Sequence, residues 1–323
     1  ARRRRNTCDI SSLSNTARRR WIAGRSDLFL FGRALTVALV FTGSVGCQRV
    51  DGAPSPPPRT PTAHPSATQH TPKPSATSQP SSKPSTSKRL SAIPKPKVRP
   101  YDDTYTGDSS LSGARRARHA LAAKGTIVRA LFTAAGVPFP PRQLLFRVYK
   151  REMHLEVWAQ GRANAPFSRV ATYAICATSG DSGPKRREGD GQVPEGFYSI
   201  DLYNPHSSYY LAMRVSYPNK RDRRLHHTGS AIMIHGNCVS IGCLAMTDAR
   251  IEELWTMADA VRRKRRVHVH IYPQRDLAAA ISKAKDPKLA AFWKNIRVGK
   301  DLFDARHTIP RIAVDRHGRY TFR

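Results

Sequence analysis

The chain has 323 residues and a formal net charge of +32, because 55 lysines and arginines outweigh 23 aspartates and glutamates. This length accommodates one substantial folded domain together with segments that lack a core of their own. The charge is compatible with an acidic polymer as partner. The absence of a helix-turn-helix, zinc-finger or aromatic RNA-binding signature argues against a dedicated nucleic-acid-binding protein.

The amino-terminal segment 1–47 is typical of an export signal. Residues 1–33 are rich in arginine and lead into an apolar run over 34–45. That run is too short to span a bilayer comfortably but matches the roughly 7–15 apolar residues of a secretory signal. It ends in Ser44-Val45-Gly46-Cys47, which resembles a bacterial lipobox. We therefore expect export to the periplasm or cell envelope. Cleavage before Cys47 would allow a lipid anchor at this residue, and the alternatives are cleavage elsewhere or retention of the signal as a short membrane anchor.

Residues 48–100 predict a disordered linker. Pro, Ser, Thr, Ala and Lys dominate the segment, which leaves too little apolar surface to offset the entropy lost on ordering. Frequent prolines favour polyproline II at about 3.1 Å per residue, so some fifty residues reach on the order of 100 Å. The segment is expected to carry a folded domain away from a membrane anchor, with a passive spacer as the alternative.

Residues 101–142 predict a helical lead-in, and residues 143–323 predict a domain that is mainly β with flanking helices, in the α+β class. The lead-in contains a helix over about 112–135, which stops at Gly136. Alternating or continuous apolar runs predict strands over 144–149, 154–159, 170–177, 196–203, 209–215, 231–234 and 267–272. Helices are predicted over 248–263, capped by Thr247 or Asp248, and over 277–285, with one helical turn over 289–295 and a closing hairpin over 312–321.

His235 and Cys243 carry the strongest chemical signal in this domain. An imidazole can take the proton of a nearby thiol or stabilise the thiolate, which is the reactive form of cysteine. The apolar run before His235 predicts a strand that ends at the imidazole. Gly236, Ser240 and Gly242 allow the tight turns that bring Cys243 back toward it. The pair is the minimum equipment for nucleophilic acyl transfer.

Three other interpretations stay open on these residues alone. Cys243 can be a buried structural cysteine beside a histidine whose hydrogen bonds are satisfied. A zinc ion can be bound by His235, Cys238 and Cys243 with His226 or His227, although no CxxC or HxxxH spacing supports such a site. Cys238 and Cys243 can also form a disulfide within a turn.

The segment resembles the active-site signature of the YkuD-type L,D-transpeptidases, and within them the YafK-like branch, whose pattern is similar to His-Gly-x-Cys-x-Ser-x-Gly-Cys-x-Ala-Met-Thr-Asp. Every element of that pattern is present over residues 235–248. Further blocks that agree are Ser182-Gly183-Pro184-Lys185, Glu188-Gly189-Asp190, Pro194-Glu195-Gly196-Phe197-Tyr198, Asn204-Pro205, Ser216-Tyr217-Pro218-Asn219 and Asp222. The likeness covers residues 143–323. Most YkuD-type enzymes carry a second histidine where this chain, like the YafK-like branch, has Ile241, which leaves open what orients the imidazole.

The resemblance implies a YkuD-like catalytic domain, of β-sandwich or barrel-like form, that works without a metal or other cofactor. Cys243 would be the nucleophile and His235 its base. Gly242, Ser240 and Gly236 would support the loop, with the backbone N–H groups of Gly242 and Cys243 facing the oxyanion. The resemblance also implies four candidate substrate-binding residues, which are Lys185, Glu188, Asp190 and Asn219.

The implied reaction is acyl transfer on peptidoglycan stem peptides, which builds or remodels cell-wall cross-links. The acceptor would be a diaminopimelate amine, a lysine of a wall-anchored protein, or water. With water, the enzyme would be a hydrolase that cuts peptidoglycan–protein or stem-peptide links. A non-catalytic domain that binds cell wall or polyanions is a second alternative. Basic runs at 185–187, 221–224 and 262–266 are most simply solvated faces, with contact to an acidic polymer as the other interpretation.

The remaining cysteines predict no disulfide framework. Cys176 lies in an apolar run and is expected to be an inert core residue. Cys238 is expected to pack near the nucleophile, with oxidation onto Cys243 as an alternative.

Overall fold

The computed structural model describes residues 97–102 and 104–323. The predicted leader 1–47, the proposed lipid site at Cys47 and most of the linker therefore lie outside the described residues. The end of the linker differs from expectation, because Val98–Arg99 pairs in parallel with the strand Ser168–Ala174. The folded part of the chain thus includes residues that composition assigned to the linker.

Five helices and eleven strands occur within the described residues. The helices are α1 (Gly113–Ala134), α2 (Lys220–Arg224), α3 (Asp248–Arg262), α4 (Leu277–Ser282) and α5 (Pro287–Arg306). The strands are β1 (Val98–Arg99), β2 (Gln143–Tyr149), β3 (His154–Gln160), β4 (Ser168–Ala174), β5 (Gly196–Asn204), β6 (Ala212–Val215), β7 (Met233–His235), β8 (Leu244–Ala245), β9 (His268–Tyr272), β10 (Ile312–Val314) and β11 (Tyr320–Phe322). This mixture confirms the predicted α+β class.

Nine of these strands form one mixed sheet in the order β1-β4-β3-β2-β9-β5-β6-β7-β8. Strand β5 joins its two halves, because residues 196–199 pair with β9 whereas residues 200–204 pair with β6. The register of β5 on β6 shifts between Ile200 and Leu202, as at a β-bulge, which bends a strand. The smaller half, β6 to β8, holds the segment singled out in the sequence.

Helices cover both faces of the larger half of the sheet. Leu144 and Phe146 of β2 share a buried core with side chains of α1 and α3. The alternate residue Leu145 points the other way and packs with Phe303 of α5. Burial on both faces explains why β2 is a continuous apolar run, and each fully buried side chain of this size contributes about 1.5–3 kcal/mol. No helix in the described part of the chain has both the length and the apolar character that a bilayer crossing requires.

Helix α5 departs most from the sequence prediction, since it has 20 residues instead of one turn over 289–295. Asp286 caps it by accepting a hydrogen bond from the Lys288 amide at 2.8 Å, and Pro287 occupies the first turn. Its buried residues, at helical spacing, are Phe292, Trp293, Ile296, Gly299 and Phe303. Charged residues fill the positions between them and obscure this pattern in the sequence. The predicted closing hairpin is present as β10 and β11.

Candidate active site

Strand register places His235 and Cys243 on the same face of the sheet. His235 ends β7, which pairs in parallel with β8 so that Ile234 lies opposite Leu244 and His235 opposite Ala245. Cys243 directly precedes β8 and therefore lies opposite Met233. Because side chains alternate along strands, His235 and Cys243 share one face. Ile234 and Leu244 are fully buried on the other.

The loop between the two residues is held by glycine conformations and by Ser240. Gly242 has φ +88°, a left-handed conformation that favours glycine. A Cβ atom on Gly236 would lie 3.0 Å from Ile251 Cγ2 and would collide with the Asp248 carboxylate. The Ser240 hydroxyl accepts a hydrogen bond from the Cys243 amide at 3.0 Å and donates to the Cys243 carbonyl at 2.7 Å. These contacts fix the backbone on both sides of the sulfur.

The imidazole of His235 is oriented by the carbonyl of the next residue. Its Nδ1 lies 2.6 Å from the Gly236 carbonyl oxygen, which can only accept, so Nδ1 carries the proton and Nε2 is left as a base. The ring is 2% exposed, and the ring of Tyr209 packs against it at a tilt of 37°, with 4.9 Å between the ring centroids. Burial lowers the pKa of His235, an effect that the Gly236 carbonyl and the Asp248 carboxylate only partly offset. The imidazole is therefore neutral at pH 7 and able to take a proton.

The Cys243 thiol is half-buried and is the free cysteine among the described residues. Its Sγ accepts a hydrogen bond from the Met233 amide at 3.4 Å and lies 3.7 Å from the Ala231 carbonyl oxygen. Burial raises the pKa of the thiol, although the Met233 amide and the charge of Lys185 act in the opposite direction. No hydrogen bond joins this sulfur to His235 within the described structure. At rest the thiol and the imidazole are thus both neutral and share a sheet face without a hydrogen bond between them.

The cysteines differ from the sequence expectation in one respect, because Cys176 and Cys238 form a disulfide with a Cα–Cα distance of 5.5 Å. Cys176 is therefore not an inert core thiol, and Cys238 pairs with it instead of with Cys243. The Cys176 amide donates to the Ala245 carbonyl at 2.8 Å, which places it beside β8. The disulfide links the loop that carries Cys243 to the segment after β4.

The structure does not assemble a metal site at this loop. Among the described residues, no group of three or more His, Cys, Asp or Glu side chains is placed to hold a metal ion. The zinc interpretation of His235, Cys238 and Cys243 therefore has no support in the geometry, and the sulfur of Cys238 is already bonded to Cys176.

The amides of Gly242 and Cys243, predicted to face an oxyanion, are engaged in the resting structure. The Gly242 amide donates to the Ser179 hydroxyl at 2.5 Å, and that hydroxyl donates to the Gly191 carbonyl at 2.7 Å. The Cys243 amide donates to Ser240. Neither N–H is free, so the structure supports a loop-bracing role for these groups and leaves oxyanion binding dependent on a rearrangement.

Three of the predicted substrate-binding residues shape the neighbouring loop. The buried ammonium of Lys185 donates to an Asp190 carboxylate oxygen at 2.6 Å and to the Arg187 carbonyl at 2.7 Å. Burial alone would raise the pKa of Asp190, but Lys185 and three backbone amides outweigh it and lower that pKa. Glu188 is exposed, and its amide donates to the Thr228 hydroxyl at 3.2 Å.

The fourth predicted substrate-binding residue, Asn219, has a structural role in the fold. Its side-chain oxygen caps α2 by accepting from the amides of Arg221 at 2.8 Å and Asp222 at 3.0 Å. Its side-chain nitrogen donates to the Phe197 carbonyl at 3.0 Å and to the Tyr320 hydroxyl at 2.8 Å. Both ends of the Asn219 amide are thus engaged within the fold.

Two residues support the site from a distance, and the sequence does not mark them as doing so. The sequence pattern gives Asp248 only a helix-capping role, yet its carboxylate accepts from the Asn237 amide and the Gly107 amide, both at 2.8 Å. Arg116 of α1 donates to the carbonyls of Ser207 at 3.1 Å and Tyr210 at 2.5 Å, within the turn that carries Tyr209. The lead-in therefore holds two loops that flank His235. Only the Thr-Asp at the end of the signature hinted at Asp248, and nothing local marked Arg116.

Comparison with known proteins gives consistent matches. Residues 145–269 match the YkuD family, described as the L,D-transpeptidase catalytic domain. Over 178 residues the chain is 36% identical to the Escherichia coli K12 protein named "Putative L,D-transpeptidase YafK", covering 54% of this chain and 71% of that protein.

Two solved structures are similar to part of this chain at lower identity. The helical cell shape determining protein Pgp2 from Campylobacter jejuni is 19% identical with a TM-score of 0.35, over 54% of this chain and 73% of that one. An L,D-transpeptidase (residues 123–326) from Xylanimonas cellulosilytica is 17% identical with a TM-score of 0.27, over 42% of this chain and 63% of that one.

Proposed function

Because this chain belongs to the YkuD family of L,D-transpeptidase catalytic domains, we propose that it transfers acyl groups of peptidoglycan stem peptides through a thioester on Cys243. The observation that carries the proposal is the placement of His235 and Cys243 on one sheet face, with the imidazole tautomer set by the Gly236 carbonyl. That arrangement supplies a nucleophile and a base whose unprotonated nitrogen is Nε2.

In the first half of the reaction, His235 Nε2 takes the proton of the Cys243 thiol as the donor peptide enters. The sulfur attacks the carbonyl of the L-centre of the third stem residue and forms a tetrahedral intermediate. This intermediate collapses as the bond to the following D-amino acid breaks, and His235 returns the proton to the departing amine. The products are a thioester on Cys243 and a free D-amino acid, with atoms and protons balanced.

The raised pKa of the thiol and the lowered pKa of the imidazole have a consequence for this step. A neutral pair needs substrate to bring the groups together, since no hydrogen bond joins them at rest. Catalytic hydrogen bonds are commonly long in a free enzyme and tighten when substrate binds. Oxyanion binding would follow if the Ser240 hydroxyl turned away from the Cys243 amide. One such donor contributes about 2.7–4 kcal/mol in comparable enzymes.

In the second half, an acceptor attacks the thioester carbonyl while His235 removes its proton, and the thiolate leaves and is reprotonated. An amine acceptor on a diaminopimelate side chain or on a wall-anchored protein gives a new amide link. Water gives hydrolysis of the same donor. Transfer to an amine and hydrolysis would use the same residues of the site. Product analysis is therefore needed to identify the acceptor.

We also propose that the protein works in the cell envelope. The leader 1–47 has the composition of an export signal, with Cys47 as a candidate lipid attachment site. The Cys176–Cys238 disulfide supports this location, because disulfides persist in oxidising compartments. The proposed substrate, a peptidoglycan stem peptide, lies in the same compartment.

The test is product analysis with a disaccharide-tetrapeptide donor, by mass spectrometry, on the full chain. We expect the parent protein to release the terminal D-amino acid and to form either a cross-linked dimer of stems or a tripeptide. Cys243→Ala abolishes release, and His235→Ala slows it by at least a hundredfold, in line with the general-base contribution of about 10²–10⁴.

His317→Ala is the matched control, since it removes an exposed histidine on the closing hairpin. This variant should turn over as the parent does. No release from any stem peptide, with intact binding, would refute the enzymatic proposal and leave a non-catalytic wall-binding domain. Release that persists in Cys243→Ala would refute the assigned nucleophile.

A further inference from the structure

A strongly basic groove lies on the sheet face that carries Cys243. Arg214 of β6 lies opposite Met233 of β7, and Cys243 lies opposite Met233 from the other side. Paired residues project to the same face, and neighbouring strands are about 4.8 Å apart, so the backbones of Arg214 and Cys243 are about 10 Å apart across one row. Arg214 is therefore the nearest basic residue in the same row as the nucleophile.

Arg214 lines a cavity of about 520 Å³, which we call the basic groove. Its cationic side chains are Arg214, Lys220, Arg223 and Arg266. The groove also includes Ala231, whose carbonyl oxygen lies 3.7 Å from Cys243 Sγ. Cys243 itself does not line the cavity, which lies beside the nucleophile and reaches from Ala231 to Arg266, just before β9. Its volume falls within the roughly 300–1,000 Å³ of small-ligand sites.

The positive charge of the groove is largely uncompensated. Arg214 pairs with Asp201 at 2.8 Å. Lys220, Arg223 and Arg266 form no ion pair with any carboxylate of the described residues. The four lining cations and one lining carboxylate leave a net charge of +3. A second cavity of about 420 Å³ shares Asp201 and Arg266 and adds further arginines from the 262–266 run.

We propose that the basic groove binds the carboxylates of the acyl-donor stem peptide, so that the scissile carbonyl is held over Cys243. The inference rests on the proposed function for the identity of the donor, and on charge complementarity and sheet register for the location. A short peptide that carries several carboxylates fits both the volume and the net charge. Because most of these cationic side chains are exposed, their contribution is a long-range field and solvent-screened ion pairs.

The experiment measures binding of a fluorescent stem tetrapeptide to the full chain in a Cys243→Ala background, which prevents turnover. Lys220→Gln/Arg266→Gln removes two unpaired groove charges. Each exposed ion pair contributes about 0.2–1 kcal/mol, so the double variant should bind about 2-fold to 30-fold more weakly. The same peptide with its carboxylates amidated should bind the parent weakly, and raising the salt concentration should narrow the difference between peptides.

Lys285→Gln/Lys294→Gln is the matched control, because it removes the same charge from exposed positions near or on α5. This variant should bind the free peptide as the parent does. Equal affinities of groove and control variants would overturn the proposal, as would equal binding of free and amidated peptides. A DNA oligonucleotide that binds through the same two residues more tightly than the peptide would also overturn it, by showing a general polyanion site.

The result separates this inference from the proposed function. If a peptide binds in a charge-dependent manner but never acylates the parent protein, the proposed binding groove stands and the proposed acyl-transfer reaction is refuted. If turnover is normal but the binding affinity does not depend on Lys220 and Arg266, the proposed reaction stands and the proposed role of the groove is refuted.

Discussion

Loss of the Cys176–Cys238 disulfide should lower the free energy of unfolding substantially. The two cysteines are separated by 62 positions. In the chain-entropy description, a closed loop of this length restricts the unfolded chain by about 4 kcal/mol, and measured effects are typically about 2–4 kcal/mol. Cys176→Ser/Cys238→Ser should therefore lower the free energy of unfolding by about 2–4 kcal/mol.

The loop itself should survive this change at moderate temperature. The Asn237 amide still donates to the Asp248 carboxylate at 2.8 Å, and Ser240 still holds the Cys243 backbone. We therefore expect Cys243 in the double variant to be alkylated at a rate within a few fold of the parent rate. The change in stability should be the dominant effect.

The assay is urea unfolding followed by far-ultraviolet circular dichroism, with the free energy extrapolated to water. Cys8→Ser is the control, since it removes one thiol from the leader and should leave the transition unchanged. Reduction of the parent protein should reproduce the shift of the double variant. A difference below about 1 kcal/mol between double variant and parent would refute the reasoning, because the crosslink would then not restrict the unfolded chain as calculated.

Three further predictions concern the chemistry and the supports of the site. Because burial raises the pKa of the Cys243 thiol, the thiolate fraction is low at pH 7. The rate of alkylation by iodoacetamide should therefore climb with pH and keep climbing past the ordinary thiol pKa of 9.0. Arg116→Gln should lower kcat about tenfold, as D-amino acid release would show. The turn that carries Tyr209 loses its hydrogen bonds to α1, and a small displacement of groups around the imidazole slows the reaction by about ten- to a hundredfold. Gly236→Ala should lower the free energy of unfolding by about 1–3 kcal/mol, because the added methyl group overpacks the site, and a thermal scan should show a lower Tm.

Each of these predictions has a distinct contrary result. An alkylation rate that levels off below pH 7 would reveal a preformed thiolate–imidazolium pair and contradict the neutral resting state. For Arg116→Gln, an unchanged kcat combined with a lower free energy of unfolding would show that α1 stabilises the domain without positioning the site. A Gly236→Ala protein with the parent Tm would show that the loop can shift to accept a methyl group.

The strand that ends at His235 and the turns that follow it were predictable from the sequence because they are local. An apolar strand that ends at His235, the turn residues and Cys243 are contained in one short segment. Given the pairing of β7 with β8, the alternation of side chains puts His235 and Cys243 on one face. The disulfide could not be predicted from the sequence, because Cys176 comes close to Cys238 only when the segment after β4 pairs with β8. The structural role of Asn219 was not predictable for a similar reason, because its amide contacts groups that are brought together only in folding.

Two further differences between the predicted and the observed structure have physical causes. The Asp248 carboxylate joins the lead-in to the catalytic loop through amides of Gly107 and Asn237, which no sequence spacing predicts. Helix α5 was underestimated because its apolar positions are separated by charged residues that face solvent. The α+β class was nevertheless predictable, since most strands and the two longest predicted helices gave clear patterns.

The central claim is that Cys243 forms a thioester with a stem peptide, and rapid-quench mass spectrometry of the proteolysed enzyme tests it most directly. During turnover of a disaccharide-tetrapeptide, the peptide containing Cys243 should gain the mass of the donor minus its terminal D-amino acid, and the added mass should disappear with hydroxylamine. Consumption of the donor with no added mass on that peptide at any quench time, or the added mass on a different residue, would contradict the account.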